Sequence, residues 1–388
     1  MKRITVLLAE DHQIVREGFR SLLEHEPDIE ASQIRLTQIA APPFGEAQRA
    51  QAFAAELIDL RCRPRMDSIG NVIAAYDEIR SNPVVVGAHL DTVFPASTPL
   101  ELQRKGRILF LPGISDNSAG MVALIWALRA ARELDIHFQR SVIAVGNVGE
   151  EGEGNLRGIR HMFNETPWEG RDCDFIAVDG AGLQRITNQA LGSRRFRVRM
   201  TGPGGHSWAD FGRPNPVQAL ASAINGFCTS GTRRPGSSFN FGVIRGGISV
   251  NAIPREATME VDLRSVNTAN LEYLENQLRR SAAEATRESG VECKIEMMGE
   301  RPSGTTASNS SLVETAFEVT RRFGVEPQAD VGSTDANIPI SLGLPAIAIG
   351  AGGSSGNVHT PEEWFDPWQR DRGIQRLLAL IAVLAGMD

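Results

Sequence analysis

Apolar positions follow two regimes along this chain. Short uninterrupted runs, residues 4–9, 84–88, 141–148, 174–178 and 344–349, alternate with stretches whose apolar residues recur every three or four positions. The runs read as strands buried on both faces, and the periodic stretches at 46–60, 121–134, 310–322 and 368–386 read as helices. A hairpin-like piece at 71–76, flanked by turn residues, precedes the run at 84–88, which we expect to close an edge of the sheet.

From residue 193 the pattern changes to strict alternation, as in Arg194-Arg195-Phe196-Arg197-Val198-Arg199-Met200. Such a strand has one wet face. The elements that follow predict strand, helix (215–226), strands near 238–246 and 255–264, helix (268–288) and strand (290–298). That order is a split βαβ, or ferredoxin-like, unit. The fold class is therefore α/β, a largely parallel sheet with helices on both faces, interrupted by an inserted α+β lid domain. We expect a catalytic domain from 31–190 and 302–388, a lid from 191–301 and a separate N-terminal stub from 1–30.

Composition narrows the partners. Forty basic against forty-seven acidic residues, a net charge of -7, disfavours nucleic acid or an anionic membrane as partner. No apolar run approaches the roughly 20 residues of a membrane span, and no signal-peptide pattern opens the chain. The four cysteines, Cys62, Cys173, Cys228 and Cys293, stand singly, which suggests reduced thiols and a cytoplasmic protein.

Chemistry gathers where the strands end. His89 and Asp91 follow the run at 84–88, and strand alternation would let the Asp91 carboxylate orient the imidazole. Asp116 precedes the helix at 121, Glu150 and Glu151 follow the strand at 141–148, Asp179 follows 174–178, and His359 lies in a Gly-rich loop. Singly these are a satisfied histidine, a helix cap or a solvated acid pair. Together, two imidazoles and several carboxylates on one sheet edge form a ligand set for two divalent ions, zinc foremost, with manganese or cobalt acceptable. One of the adjacent glutamates would have to stay off the ions to serve as general base.

The runs His89-Leu90-Asp91-Thr92-Val93-Phe94-Pro95, Ser115-Asp116-Asn117-Ser118-Ala119-Gly120, Gly149-Glu150-Glu151-Gly152, Val178-Asp179-Gly180, Gly204-Gly205-His206-Ser207 and His359-Thr360-Pro361 resemble the co-catalytic di-zinc peptidase family. It includes peptidase T, glutamate carboxypeptidase, aminoacylase and succinyl-diaminopimelate desuccinylase, and the likeness spans residues 33–388. The resemblance implies that His89 and Asp179 hold one metal, Glu151 and His359 the other, and that Asp116 bridges them. It implies Glu150 as general base, Asp91 as the group orienting His89, and Asn251 and Arg264 as substrate contacts. It also implies a homodimer through the lid, with His206 reaching the partner's site as an oxyanion stabiliser. The activity implied is hydrolysis of a peptide or N-acyl amide bond in a small substrate, probed against a non-catalytic regulatory or binding protein on the same fold. Where many members carry an acid and a lysine, this chain has Asn117-Ser118. Residues 1–28, with Glu10-Asp11-His12 after an apolar run, separately resemble the start of a response-regulator receiver domain. Asp335 and Asn337, in Gly332-Ser333-Thr334-Asp335-Ala336-Asn337, are either pocket floor or turn.

Overall fold

The computed structural model describes residues 25–79, 82–165 and 172–387. The receiver-like motif at Glu10-Asp11-His12 lies outside the described residues. Two compact units emerge, one running to Gln189 and resuming at Thr305, the other comprising Ala190–Gly304.

In the first unit, among the described residues, a nine-stranded sheet has Val84–His89 between Val142–Asn147 and Asp174–Val178, with Ala346–Ile349 next, all four parallel. Val84–His89 is thus a central strand and not the expected edge. The reason is legible in its composition: Val84, Val85 and Val86 are all fully buried, so both faces must be covered. Val84, Val86, Ile176, Val178 and Ile347 join the core that includes helices Ser118–Glu133 and Arg370–Ala385. On the opposite face Phe175 meets Phe163 edge-on at 5.7 Å. On that side Val72–Ala75 runs antiparallel to Val142–Asn147, and the edge itself is the two-residue strand Arg65–Met66. Arg185–Ala190, antiparallel to Ala346–Ile349, was not expected from the pattern.

Helix Ser118–Glu133 contains Gly120, Val122 and Trp126, which are weak helix formers costing up to about 1 kcal/mol each against alanine. Burial outweighs that, because each large apolar side chain taken from water contributes about 1.5–3 kcal/mol and this helix is buried almost throughout. A further helix, Glu26–Thr37, buries Ile29 and Leu36 in the same core, so the stub boundary drawn at residue 30 falls inside an element. It was missed because its apolar residues are sparse.

A small four-stranded sheet, ordered Ser354–Gly356, Trp364–Asp366, Ile108–Phe110, Gln103–Lys105, also went unseen. Its strands have three residues each, too few for a periodic signal. Pairing Phe365 with Leu109 brings the loop bearing His359 and Glu363 beside the loop that ends at Asp116.

The second unit has strands Gly192–Thr201, Ser237–Gly246, Glu256–Ser265 and Glu292–Arg301 and helices Pro216–Thr229 and Thr268–Ser289, in βαββαβ order. The antiparallel sheet places 256–265 and 192–201 inside, as a ferredoxin-like unit requires. Phe196, Val198, Met200, Met259, Val261 and Leu263 form its core with Phe227, Leu274 and Leu278. On the other face Arg197 pairs with Glu260 across the strands at 2.8 Å. First and last strands are neighbours, Ser193 opposite Arg301, so the segment leaves and rejoins the chain side by side. With its own core, residues 190–304 expressed alone should give a cooperative thermal transition by circular dichroism; a gradual, featureless melt would show that the segment depends on the rest of the chain.

Candidate metal centre

Three of the four parallel strands of the first unit deliver functional groups from their carboxyl ends, the edge where open α/β sheets bind ligands. His89 is the last residue of its strand and is 1% exposed. Its Nε2 lies 3.0 Å from Asp116 Oδ1 and 3.7 Å from Asp179 Oδ1. His359, half exposed and with φ of +68°, points its Nε2 at Asp116 Oδ2 (3.0 Å) and Glu151 Oε1 (2.9 Å). Asp116 therefore turns one carboxylate oxygen to each imidazole.

Three overlapping groups could each hold a cation: His89, Asp116 and Asp179; Asp116, Glu151 and His359; and His89, Glu150 and Glu151. Asp179 is partly exposed, while Glu150 and Glu151 are buried. So many carboxylates in a low-dielectric edge need positive charge beside them. In this arrangement the imidazoles supply it. Hydrogen bonds to Asp116 and then Glu151 push His359 up to about 10. Burial works against a charged His89, yet bonds to Asp116, Asp179 and Asp91 hold it well above its ordinary value. Burial would raise Asp116, but His359 and His89 hold it well below the carboxylate range. A donor set that demands protons this strongly is one that divalent cations fit.

Asp91 stands beside the imidazole and has a second task. The His89 Nδ1 atom is 3.1 Å from the Asp91 main-chain oxygen and 3.7 Å from its Oδ1. The carboxylate also accepts the N–H groups of Glu150 (2.9 Å) and Glu151 (2.7 Å), so Asp91 sets the glutamate turn. Gly149 enters that turn with φ of +67°, a conformation glycine adopts freely.

Several supporting residues escaped the sequence reading. Glu363, fully buried, accepts the N–H groups of Gly113, Ser115 and Asp116 at 2.8–3.0 Å. Burial pushes its carboxyl up to about 7 even so. Asn117 donates to the Val178 carbonyl (2.8 Å) and accepts from Gly120 and Gly180, tying the Asp116 loop to the strand that precedes Asp179. Gly120 has to be glycine here, since a Cβ would lie 2.2 Å from Asn117 Oδ1 and 2.4 Å from the Val178 oxygen. Asn147, paired in register with His89, donates to Asp335 Oδ2 at 2.7 Å. Asp335 is buried floor, its carboxyl pushed by burial up to about 7, and Asn337 closes the turn by accepting from Thr334 N–H. Arg49, buried, donates to the carbonyls of Thr37, Ile39 and Leu90, bracing the residue between His89 and Asp91. The acidic pair Glu362-Glu363 straight after His359-Thr360-Pro361 was a signal that could have found Glu363.

His206, Asn251 and Arg264 belong to the second unit. Exposed His206 accepts through Nδ1 from the N–H groups of Trp208 and Ala209, and the Asn251 carbonyl accepts from Ser207 N–H. Arg264 donates through Nε to Asp262 at 2.7 Å. It lies near the end of strand Glu256–Ser265 opposite to the loop bearing Asn251, about 25 Å away at 3.3 Å per residue. Within one copy of the unit, then, Arg264 does not share a site with His206 and Asn251.

Comparisons with known proteins bear on this geometry. Residues 85–383 match the model of peptidase family M20/M25/M40, and the chain belongs to that family. Carboxypeptidase G2 of Pseudomonas sp. (strain RS-16) is 23% identical over 274 residues, covering 67% of this chain and 64% of that protein. The chain thus spans somewhat under two thirds of that relative's length. Among solved structures, a tripeptidase of Staphylococcus aureus subsp. aureus Mu50 superposes with a TM-score of 0.79 at 19% identity, covering 95% of this chain and 98% of the other. A dinuclear metal binding M20 peptidase of Bacillus subtilis superposes with a TM-score of 0.69 at 14% identity, over 96% and 100% of the two chains. At these identities the likeness concerns the fold.

Replacing Glu363 by alanine strands three buried N–H donors, and each costs about 1–3 kcal/mol. Glu363→Ala should therefore lose several kcal/mol of stability in urea denaturation, and Glu363→Gln, which keeps one carbonyl oxygen, distinctly less. Equal, small losses would show that the loop does not rely on this carboxylate.

Proposed function

We propose that this protein is a metal-dependent hydrolase of a peptide or N-acyl amide bond in a small substrate. The observation that carries the reading is Asp116, whose two oxygens each stand 3.0 Å from a different imidazole, each imidazole having a further carboxylate beside it. His89 and Asp179 would hold one divalent ion, Glu151 and His359 the other, and Asp116 both. The mixed nitrogen and oxygen donors favour zinc and tolerate manganese or cobalt. When bound, such ions supply Lewis acidity toward a carbonyl and make water acidic near neutral pH.

Glu150 is the general base. It is buried and groups with His89 and Glu151, beside the cluster of Asp116, Glu151 and His359, where a water held at that cluster would be within its reach. It takes the proton of the attacking water and returns it to the leaving nitrogen, and its burial keeps bulk water from competing for that proton. Asp91 keeps Glu150 and Glu151 in register through their N–H groups.

The lid supplies the remaining groups in this reading. His206 stabilises the oxyanion, and Asn251 and Arg264 grip the substrate. Because Arg264 stands about 25 Å along the strand from the Asn251 loop, a small substrate can meet all three only if two copies contribute, which supports a homodimer. No helix among the described residues is long and apolar enough to cross a membrane, and the four cysteines are unpaired, which supports a reducing, cytoplasmic setting. No observation favours the non-catalytic alternative.

Elemental mass spectrometry on protein purified without chelator should find about two divalent ions per chain. Glu150→Gln should keep them and lose turnover of N-acyl amino acids and short peptides by about a hundredfold or more, whereas Glu151→Ala should lose metal. A Glu150→Gln protein with near wild-type rates would remove the base assignment. Mixing inactive His206→Ala with inactive Glu150→Gln chains should restore activity in mixed dimers; demonstrated mixed dimers without activity would confine His206 to its own subunit.

A further inference from the structure

A cavity of about 1090 Å³ opens in the first unit, at the end of the sheet away from the candidate metal centre. Ala75 and Ile143, paired across two strands, both line it, and Ile143 stands four residues before Asn147, the partner of His89. Along a strand that separation is about 13 Å. None of the candidate metal ligands borders the cavity.

Its floor is apolar, built from the buried side chains of Leu60, Ile73, Phe138 and Ile143. Its walls carry cations: among the described residues five arginines line it, Arg61, Arg63 and Arg65 just after helix Ala47–Asp59, and Arg129 and Arg132 on helix Ser118–Glu133. Two of the five are committed. Arg132 lies over the Tyr76 ring at 3.7 Å and donates to Asp77 Oδ1 at 2.6 Å, and Arg65 has interactions of its own.

The other three are not. Arg61 and Arg63 make no side-chain hydrogen bond or ion pair among the described residues. Arg129 stacks on Trp126 at 4.9 Å and reaches only Glu56, at 3.6 Å, a carboxylate that it shares with Arg35. Its Nε is buried without a hydrogen-bond partner, as is Trp126 Nε1 three positions earlier on the same helix. Buried donors without acceptors cost free energy, and an acceptor bound here would recover it.

Arg61 also stands where an arginine is disfavoured. Helix Ala47–Asp59 closes with Arg61 N–H on the Ile58 carbonyl (2.8 Å) and Cys62 N–H on that of Leu57 (3.0 Å), an ending whose left-handed residue is usually glycine. Arg61 adopts it with φ of +61°. Strain borne by a residue whose side chain lines a cavity and touches no partner points to a use for that side chain.

The acids of the cavity do not cancel these cations. Asp77 is held by Arg132, Asp135 has His137 at 3.4 Å, and Glu133 has His25 at 3.6 Å. Asp59 and Glu78 remain to face Arg61, Arg63 and the half-served Arg129. The uncommitted charge is positive, above an apolar floor.

We propose that this cavity binds a small organic anion, a phosphate or carboxylate on an apolar body, with Arg61, Arg63 and Arg129 receiving the oxyanion. Guanidinium forks pair with either group, and the floor takes the rest of the molecule. The site stands apart from hydrolysis, and its failure would leave the hydrolase reading untouched.

Calorimetric titration of the full chain, metal content intact, uses phenyl phosphate, phenylacetate and the uncharged 2-phenylethanol as probes. Wild type should bind at least one of the anions about tenfold more tightly than the alcohol, and Arg61→Gln combined with Arg63→Gln should remove most of that preference. Tighter binding of phenyl phosphate identifies a phosphate ligand, and tighter binding of phenylacetate a carboxylate. Arg61→Gly, which suits the left-handed turn, should melt no lower than wild type and still bind the anion about fivefold more weakly. Arg129→Met should weaken it by a similar factor. Should the double variant lose its fold, the Arg61→Gly comparison decides. An anion held at the metal centre would bind wild type and all the variants alike; that outcome, or a wild type that binds neither anion, overturns the proposal.

Discussion

The candidate centre depends on one carboxylate being held between two imidazoles. Asp116 meets both imidazoles because its loop is clamped twice. Glu363 grips the backbone from Gly113 to Asp116, and Asn117 fastens the next residue to Val178 and Gly180. Loosen either clamp and the carboxylates repel into water, where the ion pairs around His89 and His359 are worth little. The Glu363 clamp is itself costly, because burial disfavours its charge, and burial does the same to Asp335 nearby. Metal binding and loop order are in this sense one equilibrium.

The sheet explains why so few residues suffice. Parallel strands end together, so His89, the Glu150–Glu151 turn and Asp179 are brought to one edge by register alone. Asp116 and His359 come from loops, and the small sheet pairing Leu109 with Phe365 brings those loops together. The inserted unit enters and leaves through neighbouring strands, so the chain of the first unit is interrupted at one place only.

Much of this was legible in the chain. The buried runs, the acids and histidines at their ends and the alternation that marks the insertion all carry periodic or positional signals. What stayed hidden lacks one. The neighbours of Val84–His89 in the sheet are set by tertiary pairing, so its composition spoke for a covered strand but not for its place in the order. Helix Glu26–Thr37 presents few apolar residues, and three-residue strands have no period at all. Glu363, Asn147 and Arg49 act through main-chain atoms or one partner far along the chain, contacts that no local pattern encodes. Strand alternation pointed the Asp91 carboxylate at the imidazole, but its bonds to two turn amides had no signal in the chain.

The separations along the chain have a consequence for biosynthesis. His89 and Asp116 are 27 residues apart, but His359 follows Glu151 by 208 and Asp116 by 243. A ribosome therefore makes the donors of one half of the centre early and together, and the last donor of the other half only after the whole inserted unit has been synthesised. The Asp116 carboxylate waits between them, with one oxygen facing a neighbour already made and the other facing a neighbour yet to be translated.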